Sequence, residues 1–298
     1  MARICYIARH GCGGNQDEEA IAFALRKLGH EVDCVQERFA VDITARCDFA
    51  LFHHWSNFAA MKTLRSLGYP LVFWNFDLVS WPDPTLEARN RARVEWMREV
   101  MEIVDIGFCT DADYAAKHPS TLVWLPQGAD ERVMGSDHTN DKVRNILLTC
   151  MVQGCGTQRE SFYNEMTNMK NYTGVLYAAK GMYREELRKE IGRSRMVVCP
   201  DSPVTHRYWS NRVWNACGFG AFTLHPYCRE LAKMYTDGKE IVFYDSIEHL
   251  HKLIKFWLED DLQRAAIGRA ALERTRAHHT YRHRCEVLVS TVRERLGL

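Results

Sequence analysis

The sequence predicts an α/β protein made of two doubly wound, Rossmann-like domains facing each other. Three observations carry this expectation. Short apolar runs alternate with stretches of helical periodicity, the pattern of βαβ units with parallel strands. The alternation stops at a polar, aperiodic segment, Gly128–Arg144, and then restarts. Finally, 298 residues that are 46% hydrophobic and 26% charged provide core enough for two domains, unlike a disordered or fibrous chain.

The elements follow in order. Arg3–Ala8 is an apolar run that ends in the loop HGCGGN. Asn15 can cap a helix, with Glu18 three residues on; Ile21, Ala24, Leu25 and Leu28 share a face, and Gly29 stops it. HEVDCVQ and Asp48–Trp55 are the next strands. Asn57 opens a helix with Phe58, Met61 and Leu64 inward, ended by Gly68 and Pro70. Pro70–Phe76 is almost unbroken in its apolarity, as a central strand buried on both faces must be. A long helix runs from Thr85 to about Val104, and Asp105–Thr110 and Leu122–Leu125 are short strands. Past the polar segment, strands at Asn145–Cys150, Gly174–Ala178, Met196–Cys199, Phe222–His225 and Glu240–Tyr244 alternate with helices at Gln158–Met169, Tyr183–Arg193, Asn211–Cys217 and Ser246–Leu258. The end is helical from Tyr281, with Cys285, Leu288, Val292 and Leu296 on one stripe. The expected domains are residues 1–135, residues 136–280, and a helix, 281–298, that crosses back to the first.

Lys and Arg number 39 against 38 Asp and Glu, so no global basic field marks a nucleic-acid binder. The longest stretch free of those four residue types, Val213–Cys228, is too short and too polar to span a membrane, so no membrane partner is expected. The 11 cysteines include no CxxC pair, and the N-terminus lacks the long apolar run of a signal peptide. Reduced thiols in a cytoplasm are the resulting expectation. His279 and His283 are spaced i, i+4, but no cysteine pair joins them at finger spacing, and no metal ligands are assigned.

Ligands of open α/β sheets sit beyond the carboxyl ends of the strands. After the first strand comes His10-Gly11-Cys12-Gly13-Gly14, whose glycines let backbone approach a ligand. After the fourth comes Asp77, a carboxylate able to bind a hydroxyl or take its proton. In the second half, Arg159, Lys180 and Arg212 each follow a strand, Arg212 just after Ser210. Three cations at one sheet edge suit a diphosphate. In the helix from Thr85, Arg89, Arg93 and Trp96 stand at i, i+4 and i+7, with Arg91 and Arg98 nearby. Basic and aromatic residues together can hold a phosphate backbone and a base.

SNRVWNACGFGAFTLHPYCREL (Ser210–Leu231), the turn TDGKE, the helix after it and HTYRHR resemble the C-terminal domain of nucleotide-sugar glycosyltransferases of the GT-B type. The pattern is similar in particular to the branch of spore-maturation-protein-like and phage-encoded enzymes. It covers about Tyr183–Val289. GHEV (Gly29–Val32), Asp77, TDAD (Thr110–Asp113) and LPQGAD (Leu125–Asp130) extend the resemblance more weakly into the first half.

The resemblance implies a GT-B fold and transfer of a sugar from a nucleoside-diphosphate sugar, without a metal or other cofactor and with a lean towards retained anomeric configuration. It places Arg159 and Arg212 on the diphosphate with Ser210 and Lys180 helping, and puts Asn215 where relatives carry a ribose-binding Glu. Arg207 stands where a second Glu would lie, so the sugar contacts depart from the usual pattern. His225 lines the donor side and Gly13 the approach from the first loop, while Asp77 and His10 are the candidate catalytic residues. Arg89, Arg93 and Trp96 are the candidate acceptor surface, with duplex DNA bearing hydroxymethylated pyrimidines as the leading acceptor; if phage-encoded, the protein would work in the host cytoplasm. The alternatives are a polysaccharide, protein or small-molecule acceptor, or an inactive GT-B-shaped nucleotide-binding or surface-layer protein. Asp111-Ala112-Asp113 has the Asp-x-Asp form of metal-dependent GT-A transferases, but Asp111 equally suits a helix cap.

Overall fold

The computed structural model describes residues 1–11, 17–42, 46–54, 57–80, 87–138, 142–149, 157–168, 176–178, 181–201 and 203–298. Two compact units emerge. One comprises Met1–Gln127 with Tyr281–Leu298, the other Gly128–Thr280.

The first unit is laid out as β1 (Arg3–Ala8), α1 (Asp17–Lys27), β2 (Glu31–Gln36), β3 (Phe49–Phe52), α2 (Phe58–Ser66), β4 (Leu71–Asn75), α3 (Glu87–Ile103), β5 (Ile106–Cys109), α4 (Ala112–Lys117) and β6 (Leu122–Trp124). The strands form one parallel sheet in the order β2-β1-β3-β4-β5-β6. Alternate residues of each strand feed opposite cores. Ile4, Tyr6, Val72 and Trp74 pack with Ile21 and Leu25 of α1, while Cys5, Ile7, Leu71 and Phe73 pack with Met61, Leu64, Met97 and Val100 of α2 and α3. All of β4 is buried for this reason. Helix α1 carries Asp17, Glu18 and Glu19 in its first turn, against the positive end of its dipole. It closes at Gly29, where a φ of 84° lets Gly29 N reach Arg26 O and His30 N reach Leu25 O.

The second unit contains β7 (Arg144–Leu148), α5 (Thr157–Asn168), β8 (Leu176–Ala178), α6 (Arg184–Gly192), β9 (Ser194–Val198), α7 (Arg212–Gly218), β10 (Thr223–Pro226), β11 (Val242–Tyr244), α8 (Ile247–Leu258) and α9 (Asp261–His278). Its separate parallel sheet runs β11-β10-β9-β7-β8. The last helix of the sequence, α10 (Tyr281–Leu296), belongs to the first unit. Its Tyr281, Cys285, Leu288, Val289 and Val292 enter the core formed by β1 and α1.

Two features depart from the sequence reading. The division falls after Gln127, and residues 128–138 are built into the second unit: Ala129 N donates to His279 O (2.8 Å), Gly135 N to Gly218 O (3.1 Å), and Val133 is buried. Its carboxylates are paired within the second unit, Asp130 with Arg132 (2.7 Å) and more distantly with Arg184 of α6 (3.5 Å), Asp137 with Arg188 of α6 (2.8 Å). Helix α9 has no counterpart in the expected elements, because its buried side is Arg264, Ile267, Gly268, Ala271, Leu272 and Thr275 rather than an apolar stripe.

Each sheet reverses its winding once, between β1 and β3 in the first unit and between β7 and β9 in the second. Such switch points open a crevice at the carboxyl ends of the strands, and buried polar side chains collect at both.

Candidate functional site

In the second unit the site follows β9 and β10. The chain leaves β9 through Cys199 and Pro200 to Asp201, then returns through Trp209 and Ser210 into α7. Trp209 and Trp214, both buried, stack edge-on at 5.8 Å and seat this return. Asp201 Oδ1 accepts from Ser210 N (3.3 Å) and from Ser210 Oγ (3.2 Å), and Ser210 Oγ in turn accepts from Arg212 Nη1 (2.8 Å). On the other side Asp201 Oδ2 lies 3.2 Å from His225 Nε2, and His225 Nδ1 donates to Pro226 O (2.7 Å). Burial alone would raise the Asp201 carboxyl, but His225, Arg212 and Ser210 outweigh it and hold the group below its ordinary value. Among the described residues Arg212 makes no direct ion pair; its guanidinium is fixed by the Ser210 hydroxyl, with the Asp201 carboxylate beyond it, at the sheet edge. Asn215 is half-buried on α7. Arg207 meets Glu230 at 3.6 Å, which joins the loop before α7 to the one after β10.

Of the three cations expected to converge, only Arg212 can be placed. Lys180 lies outside the described residues, and Arg159 lies in α5 with its side chain outside them; Gly13 is likewise outside, and so is the side chain of Arg89 in α3.

In the first unit His10 and Asp77 do not form a pair. His10 follows β1 and Asp77 follows β4, two strand positions apart in the sheet, or roughly 10 Å at ~4.8 Å per strand. His10 is buried, with Nε2 on Tyr6 O (3.0 Å) and Nδ1 3.5 Å from Glu19 Oε1. Burial depresses its pKa, but the Cys34 sulfur, the Tyr6 carbonyl and Glu19 outweigh burial and raise it above the ordinary value. Asp77 is 55% exposed at its side chain and faces Arg93 at 3.9 Å. Arg93 is the clearest correction to the expected acceptor surface. It is only 9% exposed, and its Nη1 donates to Leu78 O (2.8 Å), tying down the turn after β4. Trp96 is 43% exposed and does remain on the surface. Arg98 is spent on Glu95 (2.6 Å).

Asp111 is a cap. Its Oδ1 accepts from Asp113 N and Tyr114 N, and its Oδ2 from Val79 N and Ser80 N, which leaves a buried carboxylate no direction for a metal. The sequence reading gave Glu18 only a helix-capping part and passed over Glu37, His53 and His54; all four gather at the carboxyl ends of β2 and β3 and the start of α1. The consecutive HH after β3 was the available signal.

Two separate parallel sheets, each doubly wound, define a GT-B fold, and comparison with known proteins agrees. Residues 159–290, less than half of the chain, match the family described as "Glycosyl transferase-like", and the stretch contains Asp201, Ser210, Arg212 and His225. Sucrose-phosphate synthase from Thermosynechococcus elongatus is similar over 100% of both chains at 12% identity, with a TM-score of 0.69. HepE of Anabaena, solved in complex with UDP and glucose, is similar over 99% of this chain and 100% of its own at 10% identity, with a TM-score of 0.70. A glycosyltransferase from Rickettsia africae is similar over 99% and 98% at 10% identity, with a TM-score of 0.60. No curated protein matches. The second unit thus resembles glycosyl transferases in sequence, and the whole chain shares the fold of these enzymes. Among the described residues no helix is long and apolar enough to cross a membrane.

Proposed function

We propose that the chain transfers a glycosyl group from a nucleoside-diphosphate sugar, held against the second unit, to an acceptor hydroxyl. The bond from the anomeric carbon to the diphosphate breaks, the bond to the acceptor oxygen forms, and the acceptor proton leaves to a base. The diphosphate gains negative charge as it departs, so a fixed cation beside it lowers the barrier. The observation that carries this reading is Arg212. It makes no direct ion pair among the described residues, its position is locked through Ser210 to Asp201, and it stands at the carboxyl edge of a doubly wound sheet. The complexes of HepE with UDP and with UDP-glucose support a uridine diphosphate donor.

Arg212→Ala removes a charge-assisted contact worth about 1.5–3 kcal/mol, so UDP affinity and donor turnover should fall about tenfold to a hundredfold. Calorimetry with UDP, and hydrolysis of UDP-glucose without acceptor, measure both. Unchanged values in this variant would remove the diphosphate from Arg212.

For the acceptor, the reading offered by the phage-like resemblance is a hydroxymethylated pyrimidine in duplex DNA. The exposed Trp96 supports it as a stacking platform. Arg93 does not, since its guanidinium serves the β4 turn. Few phosphate contacts then remain on α3, and the salt dependence of transfer should be shallow. Duplex DNA carrying hydroxymethylpyrimidine, offered beside free sugars and peptides, decides the matter; transfer to a sugar or peptide with none to DNA rejects the DNA acceptor and leaves the donor reading intact.

A further inference from the structure

We propose that the first unit binds one borderline divalent cation of the zinc class through Glu18, His53 and His54, with Glu37 as a fourth donor. The site is independent of the donor reading, which concerns the second unit. Its origin is topological. The sheet order places β2, β1 and β3 side by side, so whatever follows those three strands meets at one edge. Glu37 directly follows β2, Glu18 sits in the first turn of α1 after β1, and His53 and His54 directly follow β3.

The geometry is already close to a coordination sphere. One ligand atom from each of Glu18, His53 and His54 lies within 4.8 Å of the others. His54 Nε2 is 3.1 Å from Glu18 Oε1 and 3.9 Å from Glu37 Oε1. Donors of a tetrahedral zinc stand about 3.3–3.5 Å apart, given metal–ligand bonds of about 2.0–2.2 Å. Closing the present separations therefore takes side-chain movement of about an ångström.

A plain Glu18–His54 ion pair does not account for the cluster. His53 is 7% exposed, and its Nδ1 makes no hydrogen bond among the described residues. Glu37, 14% exposed at its side chain, gives Oε2 to Arg9 Nε (2.9 Å) but leaves a buried Oε1 without a hydrogen bond among the described residues. Two buried polar atoms beside one His–Glu contact are a cost that the ion pair leaves standing and a cation relieves. Two imidazoles with two carboxylates suit zinc and its first-row neighbours, whereas calcium and magnesium prefer oxygen alone.

The experiment takes the full chain, strips it with EDTA, desalts it, and titrates zinc chloride by calorimetry. Bound zinc is counted by atomic emission. The expected result is one zinc per chain and a higher Tm, with no competition from magnesium chloride. His54→Gln and Glu18→Gln should each weaken zinc by at least about 100-fold, the upper end of what losing even an outer partner costs. His249→Gln, at an exposed site in the second unit, should bind like the wild type. His53→Ala empties a buried position, so the two partly exposed positions, His54 and Glu18, carry the test. Failure of the wild type to retain zinc after desalting, or zinc binding by His54→Gln and Glu18→Gln at wild-type affinity, overturns the proposal.

Discussion

Asp201→Asn tests the second-unit network at its centre, because it keeps the shape of the side chain and removes only the charge. In the wild type both nitrogens of His225 face an acceptor, Pro226 O at 2.7 Å and Asp201 Oδ2 at 3.2 Å. Asparagine can still accept from Ser210, but its amide then turns a donor towards His225, and contacts to a carboxylate become contacts to a neutral amide. A hydrogen bond to a charged group is worth about 1.5–3 kcal/mol, while removing a buried charge recovers part of that as desolvation. The variant should therefore lose about 1–2 kcal/mol at pH 7. The sign with pH follows from the Asp201 pKa, which lies below its ordinary value. A depressed carboxylate contributes stability above the unfolded pKa of about 3.9 and loses it as pH falls through the folded value. The gap between wild type and variant should stay level above about pH 5 and close below pH 4. Urea unfolding, followed through the fluorescence of buried Trp209 and Trp214, reads this from pH 3 to 7. UDP affinity should drop about tenfold in parallel, as the anchor of Ser210 and Arg212 weakens. Equal stability at pH 7, or a gap that persists in acid, would refute the stabilising role of the Asp201 carboxylate.

Lys142 gives a second pH signature. Burial, with Arg264 and Arg195 adding repulsion, pushes its ammonium down to about 8. Between pH 8 and 10.5 the unfolded chain holds the proton that the folded one releases, so stability should rise with pH there, by about 1–2 kcal/mol once partial exposure is discounted; in Lys142→Met that rise should vanish from the Tm profile. Gly268→Ala sets two effects against each other. Alanine favours a helix interior by about 1 kcal/mol, but a Cβ at this point of α9 would lie 2.2 Å from Gly220 O, a backbone atom that cannot swing aside. The clash should win by about 1–3 kcal/mol, a fall of several degrees in Tm, and a stabilised variant would show that α9 and the turn after α7 are not in close contact.

The strands were legible because each carries a run of apolar residues long enough to cross a sheet, as PLVFWNF does at β4. What the sequence hid is polarity placed inside. Arg264, Thr275 and Gly268 disguise α9, whose buried side carries too few large apolar groups to register as a stripe. Asp130 and Asp137 made a folded segment look like a linker; Asp130 is held by Arg132 beside it, and Asp137 by Arg188 of α6, some fifty residues on. Arg93 shows the reverse error. Spacing put it on a basic face, yet its guanidinium reaches a main-chain carbonyl beneath the helix. Ser210 and Arg212 were readable by their position after a strand. Asp201 was not, although it organises both, because one carboxylate in a loop carries no periodic signal.

The place of α10 links the two ends of the sequence to the chemistry of the first unit. Tyr281, Cys285, Leu288, Val289 and Val292 share a core with Ile4, Tyr6, Ile21 and Leu25. Helix α1 is thus held between the sheet and a helix more than 250 residues further along the sequence. The same α1 carries Glu18 to His54 and Glu19 to His10 in its first turn. Burial of α1 fixes its axis, and a fixed axis holds two carboxylates against two imidazoles to within a hydrogen bond's tolerance. The geometry at the β1/β3 switch point therefore depends on side chains of α10 that touch none of the groups there. Cavities opened beneath α1, at Leu288 or Val292, act on that edge through helix position rather than through charge.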